Sequence, residues 1–278
     1  MKVLYILNDS LFYKRMTLYS LWTLRQFEPS LPVEVVWVPD GQVNNRDVGW
    51  YSDFDWGLGH IGHEEFLLEC KRFGVVVTRM DYDNGEETGF HSSLRGALSG
   101  VSGENIFLMD SDTIFFGGIS DLFNHLDEYD VVADKTRWSK LGVKLPLEQG
   151  NFMGFNSGVV LFRGKLLQDY ASVVRDYALD IKHERNRLSQ LMMKWDKEHN
   201  GDIQVPLGRE EMAFSCWVLD RGLKYRYFDA SEVQTESLTG LCRIFHTMTN
   251  NWGKYWALYF SNGYFRAPFR GRRRVYFP

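Results

Sequence analysis

Asp-x-Asp triplets occur three times in this chain, at Asp53/Asp55, Asp81/Asp83 and Asp110/Asp112. Two such groups are costly to ionise together once partly buried, and a divalent cation removes that cost. Their surroundings separate them. Asp53 and Asp55 lie in an irregular Trp- and Gly-rich stretch, and Asp81 and Asp83 lead into the solvated turn Asn84-Gly85-Glu86-Glu87. Asp110 and Asp112 instead stand between two apolar runs, Ile106-Phe107-Leu108-Met109 and Thr113-Ile114-Phe115-Phe116. That places them at the carboxyl end of a strand, where α/β sheets bind their ligands. A hard oxygen pair of this kind suits Mg²⁺ or Mn²⁺ with positions left for phosphate oxygens. His60 and His63 also have metal-ligand spacing, but without cysteine partners they read as part of a solvated loop.

The elements that must hold the acidic pair follow from periodicity. Runs 2–7, 33–38, 74–79, 105–109, 131–133 and 157–162 predict strands rich in Val and Ile, covered on both faces. Residues 14–27 carry Leu18, Leu21, Trp22 and Arg25 at helical spacing, and Glu28-Pro29-Ser30 stops that helix. Residues 165–199 predict two helices broken near 183–186, with Leu188, Leu191, Met192 and Trp195 as core stripe in the second. Strands alternating with helices predict an α/β fold with a mostly parallel sheet flanked by helices.

Of the 278 residues, 44% are apolar and 24% charged, which excludes a disordered or low-complexity chain. A net charge of −4 excludes a global basic field for nucleic acid. Three scattered cysteines, Cys70, Cys216 and Cys242, form neither a metal knuckle nor a disulfide framework and suit a reducing compartment. The apolar start is too short for a signal peptide, and no apolar run is long enough for a membrane span. A cytoplasmic protein, membrane-peripheral at most, is the expectation.

The segment Ile106-Phe107-Leu108-Met109-Asp110-Ser111-Asp112, followed by Phe155-Asn156-Ser157-Gly158-Val159-Val160-Leu161-Phe162, resembles the GT-A fold of nucleotide-sugar glycosyltransferases. Within it the chain is similar to the family-8-like galactosyltransferase and glycogenin group, over residues 1–256. The resemblance implies a metal-dependent transferase, with retention of configuration, moving a hexose from a UDP-sugar to an acceptor hydroxyl. It implies Mn²⁺ or Mg²⁺ on Asp110 and Asp112, with His246 as third ligand. Asn8 and Asp9 resemble the loop that holds uracil and ribose, with Tyr13 stacking on the base. Arg95 takes the place of the donor-phosphate cation, and Ser111 falls among the donor contacts. Asp134, Asn156 and Ser157 resemble the donor-sugar contacts. Glu210 and Glu211 match the catalytic pair that faces the reacting carbon, where the commoner pair is Asp-Gln. Lys254 resembles a diphosphate contact, two positions later than usual and without the family's Pro.

Residues 1–264 read as one GT-A domain and 265–278 as a basic tail with five arginines and four aromatics. The tail suits a packed extension, an anionic membrane surface, or nucleic acid, so that a DNA-base acceptor stays open alongside glycan, lipid and protein. Residues 40–63 and 137–152, with Trp50, Trp56 and Trp138, are the natural acceptor loops. Two other readings stay open at this point. One is a Mg²⁺-dependent haloacid-dehalogenase-type phosphatase, with the first Asp as nucleophile. The other is a non-catalytic module that binds sugar or nucleic acid.

Overall fold

The computed structural model describes residues 1–8, 11–39, 62–81, 94–135, 145–147, 150–152, 154–183, 185, 190, 209–235 and 238–247. Asp9, Lys254, Trp50, Trp56, Trp138, the Asp53/Asp55 triplet, Asp83, the second helix of the 165–199 stretch and the tail lie outside them.

The elements run β1 (Lys2–Leu7), α1 (Leu11–Phe27), β2 (Val33–Trp37), α2 (His63–Arg72), β3 (Val76–Arg79), β4 (Ile106–Met109), β5 (Thr113–Phe115) and β6 (Val131–Lys135). Then come β7 (Leu145–Leu147), β8 (Gly150–Phe152), β9 (Phe155–Phe162), α3 (Leu166–Lys182), α4 (Arg209–Asp220), β10 (Tyr225–Tyr227), β11 (Val233–Thr235) and β12 (Ile244–His246). Helix α1 starts three residues before the expected position 14 and ends where Pro29 forbids continuation. His63, expected in a loop, opens α2 and packs its ring 4.0 Å from that of Trp37.

Among the described residues a seven-stranded sheet has the order β10-β6-β9-β4-β1-β2-β3. Its neighbours are parallel except at β9, which runs antiparallel between β4 and β6. Strand alternation sends Leu4 and Ile6 of β1 to one face, against α3 and α4, and Val3, Tyr5 and Leu7 to the other, against α1 and α2. Burial on both faces is why these strands read as unbroken apolar runs. A second sheet, β11-β12-β5, pairs the strand that follows the acidic turn with a strand near the end of the described chain. No described helix is long and apolar enough to cross a membrane.

Candidate active site

Parallel strands β1, β4 and β6 end at one edge of the large sheet, and antiparallel β9 begins there. The Asp110 N–H donates to the Gly158 carbonyl at 2.6 Å, and Lys135 pairs with Phe155. That edge therefore gathers Asn8, Asp110, Asp134, Asn156 and Ser157. Asn8 is buried at the end of β1. Tyr13, in the first turn of α1, is half-buried against the core on that side.

The acidic turn is completed from the small sheet. Strand β12 pairs antiparallel with β5 so that His246 lies opposite Thr113, the residue after Asp112. The Thr247 backbone N–H and hydroxyl both donate to the Asp112 carbonyl, at 2.9 and 3.0 Å. His246 Nε2 then stands 3.1 Å from Asp112 Oδ1 and 3.8 Å from Asp110 Oδ2. One donor atom from each residue lies within 4.8 Å of the others. Adjacent ligands of an octahedral Mg²⁺- or Mn²⁺-sized ion stand about 3 Å apart, which the Asp112–His246 spacing matches, and two carboxylates with an imidazole are a donor set that suits such an ion. Burial pulls the His246 pKa down, but Asp112, with Asp110 and Asp134 behind it, outweighs burial and pushes it up to about 9. The clustered carboxylates are the cause of that shift, and they are the kind of group that could hold a cation. Gly158 makes room for these side chains, because a Cβ there would collide with the His246 ring and the Asp110 carboxylate.

Arg95 is buried beside this triad rather than lying on the surface. Its Nη2 donates to Asp110 Oδ1 at 2.6 Å and to the Ser157 carbonyl at 3.2 Å, and its Nε donates to Glu210 Oε1 at 3.3 Å. Its buried Nη1 has no hydrogen-bond partner among the described residues. Burial alone would weaken its charge, but Asp110 and Glu210 outweigh burial and hold the guanidinium protonated.

The two glutamates of α4 have different surroundings. Successive helical residues project about 100° apart, so they cannot share a face. Glu210 points inward and accepts from Arg95, from the Tyr170 hydroxyl at 3.2 Å and from the Ser157 hydroxyl. Glu211 is half-buried and accepts from Asn156 Nδ2 at 2.9 Å, while Asn156 Oδ1 accepts the Gly158 N–H. Asp134 accepts from the Thr235 hydroxyl at 2.5 Å, and Thr235 pairs with His246 across β11 and β12. Ser111, expected among the donor contacts, is buried and hydrogen-bonded to the Thr17 hydroxyl of α1 at 2.8 Å.

The structure thus brings together Asp110, Asp112, His246, Arg95, Asp134, Asn156, Ser157, Glu210 and Glu211. Asn8 and Tyr13 lie at the same edge of the sheet, and Asp9 and Lys254 fall outside the described residues. Sequence reasoning missed Gly158, Thr235, Tyr170 and the α1 hydroxyls Thr17, Ser20 and Thr23. The three-residue spacing of the hydroxyls was a usable signal.

A mostly parallel sheet with an acidic turn at its carboxyl edge, closed by a histidine from a small second sheet, defines the GT-A fold. No family model and no curated protein matches the sequence. Solved structures do match. The galactosyltransferase LgtC, solved with donor and acceptor sugar analogs, aligns at 11% identity and TM-score 0.51, over 96% of this chain and 98% of LgtC. The bifunctional glycosyltransferase WbbM aligns at 9% identity and TM-score 0.51, over 91% of this chain but 46% of WbbM. Mouse xyloside xylosyltransferase 1 aligns at 13% identity and TM-score 0.49, over 90% and 98%. At these identities the likeness is one of fold.

Proposed function

We propose that this chain is a glycosyltransferase that uses Mn²⁺ or Mg²⁺ and moves a sugar from a UDP-sugar to an acceptor hydroxyl. One observation carries the reading: Asp110, Asp112 and His246 converge beside a buried, charged Arg95 at the carboxyl edge of a GT-A sheet. The three residues would hold the ion, which when bound offsets the negative charge of a departing diphosphate. Arg95 has Nη1 left to donate to a phosphate oxygen, and its planar fork suits that task. Asp134 and Asn156 are assigned to the donor sugar, where hydrogen bonds fix orientation. Ser157 gives its hydroxyl proton to Glu210 and is left as an acceptor for the same sugar. Glu211 is the carboxylate assigned to the reacting carbon, where its charge favours an oxocarbenium-like state and a retaining course. Asn8, Asp9 and Tyr13 are assigned to the uridine and Lys254 to the diphosphate, on family resemblance.

The phosphatase alternative needs Asp110 as a nucleophile. Its carboxylate is instead ion-paired with Arg95 and faces His246. The test is a donor screen read by release of the nucleoside diphosphate, with Mn²⁺ and with excess chelator. UDP released from a UDP-sugar only when metal is present is the expected result, with Asp112→Asn reducing turnover by orders of magnitude. Full turnover in chelator, or phosphate release from sugar phosphates in place of UDP release, would overturn the proposal.

A further inference from the structure

Helix α1 carries three fully buried hydroxyls, Thr17, Ser20 and Thr23. Their three-residue spacing makes one stripe on the helix. The acidic turn and β5 lie along it. Thr17 Oγ1 meets Ser111 Oγ at 2.8 Å, Ser20 Oγ meets Thr113 Oγ1 at 2.7 Å, and Thr23 Oγ1 accepts the Phe115 N–H at 3.1 Å. Every second residue from 111 to 115 is thus tied to α1. A hydroxyl has one proton to give. Thr113 gives its proton to the Asp110 carbonyl at 3.0 Å, so Ser20 gives its own to Thr113. Tyr5 then donates to Ser20 at 2.8 Å. Burial keeps the Tyr5 phenol protonated far above its usual range, so the chain Tyr5–Ser20–Thr113–Asp110 has one direction. Thr113 also stands opposite His246 in the β5–β12 ladder.

Resting on the metal site proposed above, we infer that Tyr5, Thr17 and Ser20 are positioning residues for the metal-binding turn. They set where Asp110 and Asp112 stand relative to His246. Apolar side chains would pack this helix on this strand equally well, and mid-helix Thr and Ser are weak helix formers. What apolar groups cannot do is stop the strand from sliding along the helix, because their contacts have no direction. The hydroxyl stripe supplies that stop within two residues of both carboxylates.

The test compares Mn²⁺ affinity, read from the paramagnetic resonance signal of free Mn²⁺, in Thr17→Val, Thr17→Ser, Tyr5→Phe and Leu21→Val. Thr17→Val keeps volume and loses the hydroxyl; it and Tyr5→Phe should each bind about tenfold more weakly. Thr17→Ser keeps the hydroxyl and should stay within about twofold of wild type, as should Leu21→Val, a buried apolar position on the same helix. If Thr17→Val does not fold, Tyr5→Phe, which removes one oxygen, decides the matter. Wild-type affinity in both hydroxyl variants, or an equal loss in Leu21→Val, overturns the inference and leaves the metal site standing. A wild-type protein that binds no Mn²⁺ overturns the metal site and the inference with it.

Discussion

At the scale of single residues, the site depends on neighbours that look alike in sequence and differ in what they touch. Glu210 is committed to Arg95, Tyr170 and Ser157, whereas Glu211 meets Asn156 at the sheet edge. Glu210→Gln breaks a buried ion pair while keeping its shape. It should lower stability by about 2–3 kcal/mol in urea unfolding, because Arg95 loses one of its two counter-charges. Glu211→Gln should leave the unfolding midpoint within experimental scatter and lower kcat for donor turnover about 100-fold or more, as loss of a carboxylate at a developing cation does. Equal effects of the two substitutions on stability and kcat would refute this division of roles. Gly158 is a second case. A Cβ there meets the His246 ring and the Asp110 carboxylate, so Gly158→Ala should abolish Mn²⁺ binding in an otherwise folded chain, checked by metal titration alongside circular dichroism.

At the level of elements, α1 and the residue after it are tied to the chain beyond β4 from Thr17 to Glu28. Past the hydroxyl stripe, Glu28 accepts from the Ile119 and Ser120 N–H groups at 2.6 and 2.8 Å and from the Ser120 hydroxyl at 2.6 Å. It thereby satisfies donors at the start of the 3₁₀ segment Ser120–Asp127. Glu28→Ala orphans these groups and should cost about 2 kcal/mol in chemical unfolding. It lies past β5, away from the acidic turn, so Mn²⁺ affinity should be unchanged within twofold. A large loss of affinity with little loss of stability would reverse that assignment. Strand β9 is the other organising element. It runs antiparallel between β4 and β6, which puts its first residues, Phe155-Asn156-Ser157, at the edge where its neighbours end. A parallel β9 would have carried Asn156 and Ser157 to the opposite edge.

At the scale of the whole molecule, all three cysteines are buried and free. Burial pushes the Cys70 thiol up to about 12 and Cys242 up to about 11, and Cys216 higher still. These pKa values are raised above the unfolded value near 9. The stabilisation they represent is therefore complete below about pH 9 and is lost as pH rises toward 11–12. A thiol reagent should label none of them in the native protein near pH 7 and all three in denaturant. Rapid labelling of the native chain would contradict the burial. Much of the plan was legible beforehand: burial on both faces leaves unbroken Val- and Ile-rich runs, and a carboxylate pair between two such runs marks a strand end. Local pattern alone was enough for the strands β1, β2, β4 and β6, the helix α1 and its stop at Pro29, and the acidic pair. An apolar run has no direction, so the antiparallel course of β9 emerges only from its pairing with β4 and β6. Helical spacing revealed the apolar stripe of α1 and was silent about what its hydroxyls would meet about 90 residues later. The Thr113–His246 pairing joins residues more than 130 positions apart, and the inward turn of Glu210 with the outward turn of Glu211 depends on how α4 is rotated against β9. These are long-range contacts, set by how sheets and helices pack, and no local pattern of residues encodes them.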